Sequence, residues 1–264
     1  MKLIRRVFLY PLLAFVFCLI LTLLYEVYVF YSSPLLVNPF LVKEMASMSS
    51  HLPERVDHPS HPIVYPIHLE TGETWIVKQI NYTSFLMTIK SRFLLAHEYA
   101  ILKSVEDLPY ITKIVGRVNK DAFCMHYIPS IEKGLLTTEE CIRIKNELKT
   151  TLKSLHKAHL YHLDMANLDN IIISPDRSSH IIDFGRAAKL NPILDLILGP
   201  FLSYRDLGRF FRSMYDFNPD ALDLKELDQL IFYRKITNFL SLNKKDNFLD
   251  KVITYREERL SSSL

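Results

Sequence analysis

Residues 161–188 read YHLDMANLDNIIISPDRSSHIIDFGRAA, and the fold is decided there. Ile171-Ile172-Ile173 and Ile181-Ile182 are short runs of β-branched residues, which pack well on a pleated, buried surface. Pro175-Asp176 between them is turn chemistry, so residues 171–182 are expected to form a strand-turn-strand hairpin. Closing that hairpin brings Asn170, at its start, toward Asp183, just past its end. Amide and carboxylate oxygens are the donors that a hard cation such as Mg²⁺ takes. Asp164, in the loop before the hairpin, is a further carboxylate, suited to orienting a reacting hydroxyl.

Upstream, residues 63–69 and 74–80 form a second expected hairpin around Glu70-Thr71-Gly72-Glu73, with Lys78 on its second strand. Residues 93–102 show apolar side chains at helical spacing and include Glu98. Residues 111–114 and 122–129 read as two more strands. Thr137 and Glu140 have capping-box spacing and open a helix with Ile142, Leu148, Leu152 and Leu155 on its apolar face. That helix runs into 161–188 and carries His156 and His159, which with His162 have a spacing that could pass for a metal cluster. His162 belongs to the loop, so no histidine metal site is expected. Downstream, Ile193, Leu194, Leu196, Ile197, Leu198, Phe201 and Leu202 read as core, with a membrane-facing patch as the alternative. A helix is expected to begin at Ser203, with Asp206 bonding loop amides, and residues 225–264 read as two helices with charged faces.

His162-Leu163-Asp164 and Asp183-Phe184-Gly185 stand at the separation seen in protein kinases. Lys78, Glu98, Asn170 and Asp206 complete the same order. Over residues 63–215 the chain resembles the protein-kinase-like superfamily, in particular small bacterial RIO-like and lipopolysaccharide (Kdo) kinase-like proteins. The resemblance implies an α+β, bilobal fold: a small five-stranded, β-rich N-lobe with the hinge at 63–129 and a helical C-lobe at 130–264. It also implies an ATP-dependent phosphotransferase that moves the γ-phosphoryl group of ATP to a hydroxyl on a sugar, lipid or protein. In that scheme Asp164 is catalytic and orients the hydroxyl, while Asn170 and Asp183 hold Mg²⁺. Lys78, fixed by Glu98, contacts the α- and β-phosphates, and adenine bonds the main chain around Tyr127.

The pattern departs from the usual protein-kinase one in four places. Asparagine usually stands five residues after the aspartate, a position held here by Asp169; either the loop carries one extra residue, an extension resembling that of a branch of RIO-like and lipopolysaccharide-kinase-like sequences, and Asn170 is the metal ligand, or Asp169 is. Ala166 stands where a lysine is usual, residues 54–62 contain no glycine to cover phosphates, and no A-P-E follows the D-F-G. The second reading that these departures leave open is a pseudokinase, a membrane-tethered binding module that keeps the fold without turnover.

A chain of 264 residues, 49% apolar and of net charge +3, holds one substantial domain with an accessory segment and is not a nucleic-acid binder. Cys18, Cys124 and Cys141 are widely spaced and are expected as free thiols. Lys2, Arg5 and Arg6 precede residues 7–31, an apolar run whose one charge is Glu26. Its length predicts an N-terminal transmembrane helix within an anchor at 1–31, followed by a linker at 32–62. The chain is thus expected to be a single-pass membrane protein, of the inner membrane if bacterial. The basic start favours a cytoplasmic N-terminus, which leaves the side of the remaining chain open because ATP is cytoplasmic.

Overall fold

The structure, a computed structural model, describes residues 21, 24–25, 27–33, 62–69, 71–81, 84–241 and 247–262. They form an α+β protein with a small antiparallel sheet and long helices. Contacts divide the chain into two units, one holding residues up to Glu106 together with Thr112–Tyr127, the other Asp107–Ile111 and Ile128–Leu264.

The first unit contains β1 (Ile63–His68), β2 (Thr74–Gln79), α1 (Phe85–Ser104), β3 (Ile114–Asn119) and β4 (Ala122–His126). Its strands pair in the order β1-β2-β4-β3, so the described residues supply four strands where the resemblance implies five. β1 lies at the sheet's edge, where Pro66, which has no N–H to donate, is tolerated. Successive side chains of a strand point to opposite faces. Ile67, Val77, Val118, Ala122 and Cys124 therefore build one face, joined by Tyr65, Trp75 and Val115. Lys78 and its register partner Phe123 point to the other, where α1 lies: the Tyr99 ring meets Phe123 edge-on at 5.6 Å.

The expected strand at 111–114 is corrected. Ile114 opens β3, but Ile111 makes a single parallel bridge to Ile181 inside the second unit. Tyr110, with φ of 60°, turns the chain just before it and gives its carbonyl to the Ile181 N–H.

The single-pass membrane localisation is also corrected. Among the described residues no helix is long and apolar enough to cross a membrane. Of the described residues of the 7–31 run, Leu21, Leu24, Tyr25 and Tyr28 are exposed, while Phe30 packs on protein. Phe30 is 1% exposed, its ring 5.3 Å from Tyr99. The Arg117 guanidinium lies over both Phe30 and Tyr31. An aromatic face attracts a cation, and this contact recruits the segment into the first unit. Residues 1–20 of the expected anchor and 34–61 of the expected linker lie outside the described residues.

The second unit contains α2 (Thr138–Lys157), β5 (Leu160–Tyr161), β6 (Ile171–Ile173), β7 (Ser179–Ile181), β8 (Ala188–Lys189), α3 (Pro192–Phe217), α4 (Leu224–Ser241) and α5 (Asn247–Ser262). The capping box opens α2 as expected: the Glu140 N–H donates to Thr137 Oγ1 at 3.2 Å and the Thr137 N–H to Glu140 Oε2 at 2.9 Å. The helix buries Cys141, Ile144, Leu148, Leu152 and Leu155. Ile142 is turned out, because the seven-residue step from Leu148 back to Cys141 stays on the buried stripe. Cys124 and Cys141 are free and buried, while Cys18 lies outside the described residues.

α3 starts at Pro192, earlier than the expected Ser203. Asn191 Oδ1 accepts the amides of Ile193 and Leu194, and Pro192 sits in the first turn, where its missing N–H costs nothing. The expectation that the apolar run is core fails for most of it: Ile193, Leu196 and Ile197 are 76%, 82% and 69% exposed. Residues at i, i+3 and i+4 share one helix face, and α3 turns its other face, with Gly199, Asp206, Phe210, Phe211 and Met214, inward.

α3 and α4 approach closely at Gly208, where an added Cβ would lie 2.3 Å from Cγ of Tyr233. Gly208→Ala is expected to destabilise the protein by about 1–3 kcal/mol through overpacking. A urea midpoint equal to that of the parent chain would refute this. Elsewhere Glu226, 1% exposed, accepts from Lys145 at 2.6 Å and Lys149 at 2.5 Å, pinning α4 to α2.

Candidate functional site

In the first unit the alternation of β2 turns Lys78 toward α1, and Glu98 rises from that helix to meet it. Lys78 Nζ lies 2.8 Å from Glu98 Oε1 and 2.7 Å from Oε2, with the side chains 8% and 3% exposed. Taking such a pair out of water costs more than its attraction reliably returns, so it is poorly explained by stability alone. Tyr127 follows β4, donates its N–H to the Thr74 carbonyl at 3.2 Å, and is 45% exposed.

In the second unit the loop 162–170 is held from below by α3. Asp206, fully buried, accepts the backbone N–H of His162 and of Leu163, each at 2.7 Å. One turn on, Arg209 donates to the Leu163 carbonyl, and Ser213 Oγ donates to that of Met165 at 2.9 Å. These three residues at i, i+3 and i+7 of one helix face grip the loop peptides from His162 to Met165. Leu163 is thereby kept at φ of 61°, a left-handed conformation that costs a non-glycine residue about 1–2 kcal/mol. Asp206 therefore bonds loop amides, as the sequence leads one to expect.

His162 is completely buried, and its Nε2 lies 3.0 Å from the Ile182 carbonyl. A carbonyl only accepts, so Nε2 carries the proton. Burial drives the ring's pKa below the usual histidine range, against the opposing pull of Asp206 and neighbouring carboxylates, and keeps it neutral. The Phe184 ring packs edge-on against it at 4.7 Å. His162 thus ties the loop 162–170 to the turn at Asp183-Phe184-Gly185. His156 and His159 are engaged elsewhere, the first with Asp206 and Ser203, the second with Asp195.

The hairpin closes as its sequence predicts, with Ile171 opposite Ile181, and the Ile182 N–H donates to the Asn170 carbonyl at 2.9 Å. Asn170 and Asp183 therefore flank the same end of the hairpin. Asn170 is 4% exposed and donates through Nδ2 to the Asp164 carbonyl at 3.0 Å, with Asp164 Oδ2 at 3.5 Å. The 3₁₀ turn Leu168–Asn170, capped by Asn167, absorbs the extra loop residue. Asp169 is exposed, and its side chain does not share the Asn170 contacts with Asp164. Asp183 is exposed with φ of 59°.

Two arginines join this group without having been singled out in the sequence. Arg186 Nη1 lies 3.3 Å from Asp164 Oδ1, and Arg209 Nη1 lies 3.9 Å from the same atom. Arg186 directly follows D-F-G, and Arg209 stands three residues after Asp206 on the face that grips the loop, so both positions carried a legible signal. The structure thus pairs Lys78 with Glu98, brings Asn170 onto Asp164, and sets Asp183 beside Asn170 along the backbone. Tyr127 stands apart from the Lys78–Glu98 pair, at the end of its strand.

No protein-family model matches the chain, and a search of curated proteins finds no match. Fold and site together define an α+β protein with a buried lysine–glutamate pair in one unit and an aspartate–asparagine–aspartate group, braced by a helix carboxylate, in the other.

Proposed function

We propose that this chain is an ATP-dependent phosphotransferase of the protein-kinase-like superfamily, with that superfamily's bilobal fold, transferring the γ-phosphoryl group to a hydroxyl. The observation that carries the reading is the loop group itself. Asp164, Asn170 and Asp183 are gathered at one end of a hairpin, on a loop whose peptides are anchored by buried Asp206. Preorganisation of this kind is what a positioning chemistry needs, because phosphoryl transfer asks the protein mainly to orient groups and to stabilise charge.

The donor set fits Mg²⁺. Asn170 directs its Nδ2 to the Asp164 carbonyl, which leaves its amide oxygen as the ligand atom, and Asp183 adds an exposed carboxylate. These two residues would hold the ion, and the bound ion would offset phosphate charge. Asp164 would accept a hydrogen bond from the acceptor hydroxyl and take its proton. Lys78, kept extended by Glu98, would contact the α- and β-phosphates, and the main chain about Tyr127 would meet adenine. The acceptor class is a hydroxyl on a sugar, lipid or protein. The alternative of a pseudokinase binding module draws on one feature, the absence of glycine from residues 54–62.

The test is Mg²⁺-dependent stabilisation of the full chain by ATP, compared with Asp183→Ala. Ligand at 100 times its Kd adds about 2.7 kcal/mol of apparent stability. The expected result is a rise in melting temperature that needs both Mg²⁺ and ATP and vanishes in the variant. A folded chain that millimolar Mg-ATP leaves unshifted would sink the nucleotide reading. Binding without any turnover would favour the pseudokinase.

A further inference from the structure

Loop 162–170, which holds the proposed base, contains no lysine or arginine. The transferring phosphoryl group carries spread negative charge on its outer oxygens, and stabilising that charge requires a cation close to the reacting hydroxyl. Geometry bounds where the cation must be. A base oxygen lies about 2.6–3.2 Å from the hydroxyl oxygen it serves. That oxygen in turn attacks phosphorus from about 3–3.5 Å. A guanidinium already in contact with Asp164 is therefore within one side-chain rotation of the phosphoryl oxygens.

Of the two arginines at Asp164, Arg209 is committed to structure, since its Nη1 donates to the Leu163 carbonyl that it helps hold in place. Arg186 differs. Its side chain is 72% exposed, and among the described residues its ion-pair partner is Asp164, at 3.3 Å. Its backbone is nevertheless well placed, because Phe184 is buried against His162, the Ala187 N–H returns to the Phe184 carbonyl at 3.0 Å, and Ala188 pairs with Tyr161. A fixed root with an exposed, forked head suits phosphate recognition.

We propose that Arg186, which pairs with Asp164, is a catalytic residue that grips the γ-phosphoryl group during transfer. The inference rests on the phosphotransferase reading above. In the step it serves, the acceptor oxygen forms its bond to the γ-phosphorus as the bond from that phosphorus to the β,γ-bridging oxygen breaks. ADP departs with the electron pair of that bond, and the hydroxyl proton passes to Asp164. Arg186 follows the γ oxygens and, in leaving Asp164, frees the carboxylate to receive the proton.

The test compares Mg-ATP and Mg-ADP affinities, by titration calorimetry on the full chain, for the parent, Arg186→Ala and Arg186→Lys. A charge-assisted contact to the γ-phosphate alone predicts that Arg186→Ala weakens ATP about 10- to 100-fold while ADP binding stays within twofold. Arg186→Lys, which keeps charge without the fork, should recover part of the preference. An unchanged ATP-to-ADP ratio in Arg186→Ala overturns the assignment and leaves the phosphotransferase reading standing. Equal loss of both nucleotides also overturns it, since the contact would then not be to the γ-phosphate. A parent chain that binds neither nucleotide overturns both.

Discussion

Asp164→Asn is expected to slow Mg-ATP turnover about 100- to 10,000-fold while leaving nucleotide affinity close to that of the parent. The substitution is nearly isosteric. The Asn170 bond to the residue-164 carbonyl is a backbone contact and survives it, so the loop keeps its shape. What disappears is the negative charge that, on the proposed reading, would accept the hydroxyl proton, and that draws Arg186 and Arg209 to the same oxygen. Turnover can be followed as ADP formed, with water or an added alcohol as acceptor, and affinity as the Mg-ATP shift in melting temperature. Loss of rate with affinity kept is the signature of an interaction made mainly in the transition state. A variant as fast as the parent would remove Asp164 from the chemistry, and one that lost rate and affinity together would make it a structural residue.

Asp206→Ala is expected to cost about 3–5 kcal/mol of stability, the range for breaking a buried charged hydrogen-bond network. The carboxylate is wholly buried and serves three donors: the amides of His162 and Leu163 at 2.7 Å and His156 Nε2 at 3.2 Å. Alanine would strand two buried N–H groups, each with its full desolvation penalty. It would also release Leu163 from the left-handed conformation that those bonds impose. The loop should therefore relax as well as weaken, so nucleotide-independent stability and turnover fall together. A urea titration gives the stability, and a midpoint lowered by less than the equivalent of about 1 kcal/mol would show that the loop is held chiefly by Arg209 and Ser213.

Much of this arrangement was legible because its causes are local. Turn chemistry at Pro175-Asp176 between β-branched runs specifies the hairpin, and the hairpin alone brings Asn170 and Asp183 to one end. Thr137 and Glu140 announce the start of α2 three residues apart. The start of α3 was also written locally, in Asn191 followed by Pro192, but the strong apolarity of 193–202 obscured it. Apolar character says that a segment gains by leaving water and does not say what will cover it. That is why Phe30, in the same kind of run, is buried on Tyr99 and Arg117, whereas Ile193, Leu196 and Ile197 face outward.

By itself, then, the sequence determined the hairpins, the helix caps, the order of the site residues and the pairing chemistry of Lys78 with Glu98. Each depends on residues a few positions apart or on a charge with an evident complement. Only the tertiary structure decided that Asp206, Arg209 and Ser213 would together hold the loop, that Ile111 would join β7, and that Arg186 would lie against Asp164. Those contacts link residues 22 to 70 positions apart in the chain. No local pattern encodes them, because which of several competing partners a side chain meets is set by how whole helices and strands pack.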